Sequence, residues 1–478
     1  MLLSHCVAFA LNIAVVILTF TTNQNSLFLA AMSPSSSNRG ARQPRILLFP
    51  SAGMGHLVPF ARLATALSAR GIDITLLAAR PTVSAAESRL LSSLPSSILQ
   101  DFPLPPLDPS LFPPFTDPFF LRTESIRRSV PLLAPMLSSF SALVVDIFAA
   151  STFLPVASAM SIPCFILSTS SAAMLALITV FRSYGDVGIA DICKIPSRSL
   201  PPPLRDPNHL FTRMFVDNGR AITLSDGILM NTFEALEPEM VAAFHSGKVE
   251  HGFPPAFDIG PLPPLWVQHS SSSRILRWLD EQPERSVMYV SFGSRTAMST
   301  DQIRELGAGL ELSGCRFLWV VRSAKVDREE AAEIEELVGE GYVERVDGRG
   351  LVVREWVEQE SVLAHRAVAG FLSHCGWNSV IEAAAAGVKV LAWPRMGDQR
   401  VNAEVVGASG LGMWPEEWAW ESEGLVAAEE IGRTVKEVMH DAKVGEAAAR
   451  VAMAAAAAVA EGGSSDKSIK LLIEKISK

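Results

Sequence analysis

"FLSHCGWNSVIEAAAAG", residues 371–387, packs an apolar strand, a tight turn and a short helix into one stretch. His374 and Gly376 fall in the turn. The spacing predicts a helix that begins near Asn378 and stops at Gly387, where glycine ends it. A helix amino terminus offers unpaired N–H groups and a partial positive charge, so an anion suits this turn. Asn378 and Ser379 can cap those amides or donate to a phosphate directly. Glu382 lies one turn past Asn378 on the same face. A carboxylate there repels a phosphate but accepts hydrogen bonds from neutral hydroxyls such as a ribose diol. Read alone, the stretch also fits an ordinary capped strand-to-helix turn.

The flanking sequence repeats the same alternation. "SVMYVSFGSR" (286–295) reads as a strand and glycine turn, "TDQIRELGAGLELSG" (300–314) as a helix and "RFLWVVR" (316–322) as a strand. A solvated, Glu- and Arg-rich helical patch (327–346) precedes "GLVVREW" (350–356), and "KVLAWP" (389–394) is a further strand. The Ala-rich run 442–460 is helical, and "EGGSSDKS" separates it from a last amphipathic helix. The first half has the same logic: "RILLFP" (45–50), a helix around 57–70, "DITLLAA" (73–79), "ALVVDIFA" (142–149), "IPCFILSTS" (162–170) and "GILMNTF" (227–233). Strands alternating with helices imply parallel sheets with right-handed crossovers. The seven prolines of 102–119 suggest an extended surface loop rather than a helix, and 196–208 is again loop-like. "GPLPPLWVQHSSSSR" (260–274) reads as an interdomain linker. The expected organisation is an apolar extension (1–31), a first domain (32–262), a linker (263–274), a second domain (275–458) and a carboxyl-terminal helix (459–478) packing back on the first domain.

Bulk properties narrow the class. A chain of 478 residues exceeds one ordinary core, and its 49% hydrophobic and 19% charged composition is globular. Net charge is −9, which argues against a nucleic-acid partner. The five cysteines (Cys6, Cys164, Cys193, Cys315, Cys375) are scattered and show neither a disulfide framework nor zinc spacing, as expected of a cytoplasmic protein without metal. "CVAFALNIAVVILTF" (6–20) is long enough for a signal core but short for a membrane span, and no Lys or Arg precedes it. Residues 1–31 read either as an upstream extension of a protein beginning at Met32 or as a signal or anchor.

The wider window decides the reading. Trp356 to Gln399, "WVEQESVLAHRAVAGFLSHCGWNSVIEAAAAGVKVLAWPRMGDQ", closely resembles the 44-residue signature box of plant family 1 UDP-sugar-dependent glycosyltransferases. The resemblance implies a GT-B fold, two doubly wound Rossmann-like α/β domains facing across a cleft. It also implies a UDP-sugar as donor substrate, with Gln399 at the end of the box compatible with UDP-glucose, and the expectation is no cofactor and a monomer. By the resemblance Trp356 stacks on uracil and Gln359 contacts the nucleoside. His374, Gly376, Asn378 and Ser379 hold the diphosphate, with donors added by the Gly293–Ser294 turn. Glu382 takes the ribose hydroxyls, and Trp377, Asp398 and Gln399 meet the sugar. Two positions depart from the box: Glu358 and Lys389 stand where it usually has proline.

In the first half, "FPSAGMGHLVPF" (49–60) puts His56 behind two glycines at the end of a strand, where open α/β sheets bind ligands. By itself it fits a structural turn histidine. The resemblance makes it the general base and makes Asp146, in "LVVDIF", the relay acid. An ordinary imidazole (pKa about 6.5) takes a phenol's proton (about 10) uphill by roughly 5 kcal/mol, so a carboxylate partner and concerted sugar attack are needed. "PTVSAAES", "TDPFFLR", "DPNHLFTRMFVDNGR" and "WPRMGDQRVNAEVV" further resemble the flavonoid C-glycosyltransferases, whose Asp-Pro-Phe signature matches Asp117, Pro118 and Phe119. Many O-glycosylating relatives carry an acid beside the relay aspartate, where this chain has Ile147. The implied acceptor is a flavonoid-type polyphenol, a 2-hydroxyflavanone or dihydrochalcone, with O-glucosylation of phenolic small molecules as the alternative. A non-catalytic UDP-sugar-binding protein, whose mark would be loss of His56 or Asp146, is a third reading.

Overall fold

A computed structural model describes residues 44–82, 84–112, 118–181, 195–265, 274–293, 298–322, 333–418 and 424–477. Residues 1–31, Asp117, Ser294 and most of the expected linker lie outside them. Residues 44–478 group as one unit holding two parallel sheets.

The first sheet joins β1 (Arg45–Phe49), β2 (Asp73–Arg80), β3 (Leu99–Pro103), β4 (Ala142–Asp146), β5 (Cys164–Ser168), β6 (Gly227–Met230) and β7 (Ala256–Asp258) in the order β3-β2-β1-β4-β5-β6-β7. The second joins β8 (Val287–Ser291), β9 (Arg316–Val320), β10 (Gly350–Val353), β11 (Val368–Ser373), β12 (Lys389–Ala392) and β13 (Gly412–Met413) in the order β10-β9-β8-β11-β12-β13. β4, β5, β8, β11 and β12 are buried at every residue. Continuous apolar runs such as "ALVV" and "VAGFL" demand this, because helices cover both faces of a parallel sheet.

Both sheets reverse direction at one point, between β1 and β4 in the first and between β8 and β11 in the second. Strand ends part at such a switch point and leave a crevice at their carboxyl ends. The register pairs Phe49 with Val145 and Ser291 with Ser373. The residues just beyond those pairs, among them His56, Asp146, Gly293 and His374, therefore come out at the two crevices.

The proline-dense segment differs from expectation at its end. Pro118 opens a helix that runs from Pro118 to Leu137, so Pro118 and Phe119 begin a helix instead of kinking a loop. Proline suits that first position because its missing N–H and fixed φ cost nothing there. The last helix, Ser464–Ile476, returns to the first sheet, where Ile469, Leu472 and Ile476 pack with Phe165, Leu229 and Phe257.

Candidate active site

Gly53 (φ +93°) turns the chain after β1, and its carbonyl accepts the N–H groups of His56 and Leu57 at 3.0 Å each. These bonds start the Met54–Ser68 helix and put His56 in its first turn. His56 Nδ1 lies 2.8 Å from Asp146 Oδ2 and 3.0 Å from Thr169 Oγ1. Asp146 is fully buried at the end of β4, and its Oδ1 accepts the Phe148 N–H at 2.9 Å. Both carboxylate oxygens are thus held, which fixes the imidazole they face. With Nδ1–H donating to Asp146, the imidazole lone pair sits on Nε2. Phe148 meets the His56 ring edge-on at 5.5 Å, and Ile147 is buried beside it.

In the second lobe, His374 follows β11 with its ring between two glycines. A Cβ on Gly293 or on Gly376 would lie 2.6 Å from His374 Nε2. Burial holds the His374 imidazole down to about 4, so at neutral pH it is uncharged and can donate from one nitrogen. Cys375, next to it, takes φ +61°, rare for a residue with a side chain, and this turn opens the Trp377–Ala386 helix. No side chain caps that helix. Instead, Asn378 Nδ2 donates to the Gly55 carbonyl at 3.3 Å, and Ser379 Oγ accepts from Gln359 Nε2 at 2.9 Å. Gln359 Nε2 also donates to Glu382 Oε2 at 2.6 Å.

Trp356 is 43% exposed, with Arg89 of the first lobe 5.8 Å from its ring centre. Its indole N–H donates to Glu358 at 3.1 Å, so the departure from proline gives the indole a partner. Trp377 behaves differently: its buried indole donates to the Asn231 carbonyl at 2.9 Å, so that N–H is already used. Asp398 accepts from Ser170 Oγ, which follows β5, and from Asn402 Nδ2 at 3.0 Å. Gln399 Oε1 accepts the backbone N–H groups of Arg395 and Met396. These residues border one cavity of about 1350 Å³, with His56, Ile147 and Phe148 on one wall and Trp356, Gln359, His374, Asn378, Glu382 and Asp398 on the other. The sequence-predicted residues whose side chains are described all border it except Asp146, which is buried behind His56. The side chains of Pro118 and Phe119 lie outside the described residues.

Comparison with known proteins bears on this geometry. Residues 267–453 match the family described as "UDP-glucoronosyl and UDP-glucosyl transferase". "UDP-glycosyltransferase CGT" of Oryza sativa subsp. japonica is 55% identical over 91% of this chain and 96% of its own length. The chain belongs to the UDP-glycosyltransferase family. Among solved structures, LpCGTa in complex with UDP is 46% identical, with a TM-score of 0.81 over 91% of this chain and 99% of that one. Phytolacca americana UGT2, complexed with UDP-2fluoro-glucose and pterostilbene, is 30% identical with a TM-score of 0.77 over 91% and 100%. The fold is therefore GT-B. GT-B UDP-glycosyltransferases need a UDP-sugar donor and no metal or cofactor. No helix among the described residues is long and apolar enough to cross a membrane.

Several residues of this UDP-glycosyltransferase site escape sequence reasoning. Arg62, Thr169, Ser170 and Asn231 each reach across to a predicted site residue or beside one. Arg62 left a trace, a lone charge in the apolar run "LVPFARLATAL". Thr169 and Ser170 left another, in the polar "STSS" at the carboxyl end of β5.

Proposed function

We propose that the protein is an inverting, UDP-glucose-dependent C-glycosyltransferase that joins glucose to an aromatic carbon of a flavonoid-type polyphenol, a 2-hydroxyflavanone or dihydrochalcone. The observation that carries the reading is the buried Asp146 carboxylate 2.8 Å from Nδ1 of His56, a residue lining the same cavity that Trp377 and Asn378 at the helix amino terminus border.

His56 Nε2 takes the proton of an acceptor phenol, and Asp146 stabilises the imidazolium that forms. Loss of that proton spreads negative charge to the ortho carbon of a phloroglucinol-type ring. That carbon attacks the anomeric carbon from the face opposite the diphosphate. A C–C bond forms, the glycosidic C–O bond breaks, and UDP leaves with the electron pair. The resulting neutral dienone releases the proton on its attacked carbon to solvent while its oxygen takes back the proton held by His56, so aromaticity returns and the base is regenerated. The leaving diphosphate meets the Trp377–Ala386 helix N–H groups, His374 and Asn378. Trp356 stacks on uracil, Glu382 takes the ribose hydroxyls, and Asp398 and Gln399 meet the sugar.

Carbon rather than oxygen transfer is supported by the identity with relatives named as C-glycosyltransferases and by Ile147. An apolar residue beside Asp146 leaves the acceptor hydroxyl less anchored, so a ring carbon can turn toward the sugar. The test is incubation with UDP-glucose and a dihydrochalcone bearing a phloroglucinol ring, followed by acid treatment and mass fragmentation. The reading requires a sugar that survives acid and fragments across its own ring. Glucose released intact would instead identify an O-glucosyltransferase.

A further inference from the structure

Arg62 sits on the Met54–Ser68 helix of the first lobe and is 3% exposed, yet its guanidinium serves the second lobe. Nη2 donates to Glu382 Oε1 at 2.5 Å and also to Glu360 Oε1. The other oxygen of Glu382 takes the Gln359 amide at 2.6 Å. One donor from each lobe therefore fixes the plane of the Glu382 carboxylate. A carboxylate accepts at about four positions, so two remain for a ligand. Arg62, Gln359, Glu360 and Glu382 all border the cavity.

A purely structural tie explains this poorly, because a buried ion pair adds little net stability. Moreover, Arg62 Nε is buried with no hydrogen-bond partner, a further cost at a site that brings no fold benefit. The arrangement makes sense as orientation of a binding group. We propose that Arg62 is a positioning residue for the donor nucleoside: from the acceptor-side lobe it holds Glu382 so that its two open positions meet the ribose hydroxyls. Donor affinity then depends on the lobes being together, and donor binding and lobe closure favour each other. The proposal rests on the reading of Glu382 as the ribose acceptor.

Calorimetric titration of UDP and 2′-deoxy-UDP into wild type, Arg62→Met and Arg62→Lys separates the two ideas. Wild type is expected to prefer UDP by about tenfold or more, the worth of a hydrogen bond to a charged acceptor. In Arg62→Met that preference should collapse toward one, because UDP loses two hydroxyl contacts while 2′-deoxy-UDP, which keeps only the 3′-hydroxyl, loses one. Arg62→Lys, which keeps a charge but cannot hold the carboxylate plane, should fall between, and it answers the same question if the Met variant does not fold. A preference unchanged in either folded variant overturns the role of Arg62 alone. Absence of any preference in wild type overturns the ribose reading of Glu382, and the proposal with it.

Discussion

At the scale of single residues the site is a set of side chains whose second atoms are already committed. His56 has one nitrogen on Asp146, and Asp146 has its other oxygen on the Phe148 N–H. On the proposed role of His56 as base, its removal should cost function without costing the pocket. His56→Ala should therefore lower kcat by about 10²- to 10⁴-fold. UDP affinity should stay within about twofold of wild type, because the side-chain bonds of His56 run to Asp146 and Thr169 and not to Trp356, Gln359 or Glu382. Steady-state rates and UDP titration on the same preparation check both halves. Ile147 tests the choice of nucleophile. Ile147→Asp adds an acceptor for a phenol hydroxyl next to the base, so the acid-labile share of the product should rise at the expense of the acid-stable one, as read by mass fragmentation. His374 carries a pH signature. Its folded imidazole is held down to about 4 by burial, whereas an unfolded one titrates near 6.5. Between those values unfolding takes up a proton, so the stability it contributes is full above about pH 6.5 and is lost as pH falls toward 4. Urea denaturation at about pH 5 and about pH 7.5 should show a smaller drop in His374→Asn than in wild type.

At the scale of elements, function sits on the turns that leave each sheet at its switch point. Two glycines of positive φ do different work there. Gly293 (φ +71°) gives the His374 ring its room, since a Cβ would fall 2.6 Å from Nε2. Gly53 (φ +93°) has nothing within 4 Å of such a Cβ and supplies backbone conformation alone. Gly293→Ala should therefore weaken UDP binding by about tenfold or more, through the displaced ring together with roughly 1–2 kcal/mol of strain. Gly53→Ala should leave UDP affinity unchanged. Equal losses in the two variants would mean that strain, rather than the ring, is responsible. The same elements show what a sequence can disclose. β1, β4, β8, β11 and β12 were legible because buried parallel strands are unbroken apolar runs. β3 ("LQDFP") was not, since an edge strand with exposed residues lacks that run. The Ala172–Val180 helix is apolar on all sides and shows no helical stripe to distinguish it from a strand. At the site, His56, Asp146, His374 and Glu382 were legible from their places at strand ends and on a helix face, together with a family pattern. Arg62, Ser170 and Asn231 act across the lobe interface, between segments far apart in sequence, and no local spacing encodes that.

At the scale of the whole molecule, the described chain returns from the second lobe to the first near its carboxyl end, and that crossing gives the last prediction. The Ala442–Val459 helix packs against the Trp377–Ala386 helix of the second lobe. The Ser464–Ile476 helix that follows packs against β7 of the first. Ser465 Oγ donates to the Gly260 carbonyl, Lys475 Nζ donates to the Asp226 carbonyl at 2.6 Å, and Arg70 pairs with Asp466 at 3.2 Å. Those polar contacts set the register, but the buried Leu472 supplies the adhesion. Leu472→Ala removes a buried side chain and should cost about 2–5 kcal/mol. Because the helix belongs to the core around Phe165, Leu229 and Phe257, the loss should appear first in that lobe. Hydrogen exchange should quicken in β5, β6 and β7 while β11 and β12 keep their protection. At low temperature, where the first lobe stays folded and Arg62 keeps its bond to Glu382, UDP affinity should hold, and on warming both UDP affinity and turnover should fall as the first lobe loosens. Uniform loss of protection across both sheets would mean that the lobes unfold as one cooperative body, and that the returning helix braces the whole transferase rather than its acceptor side.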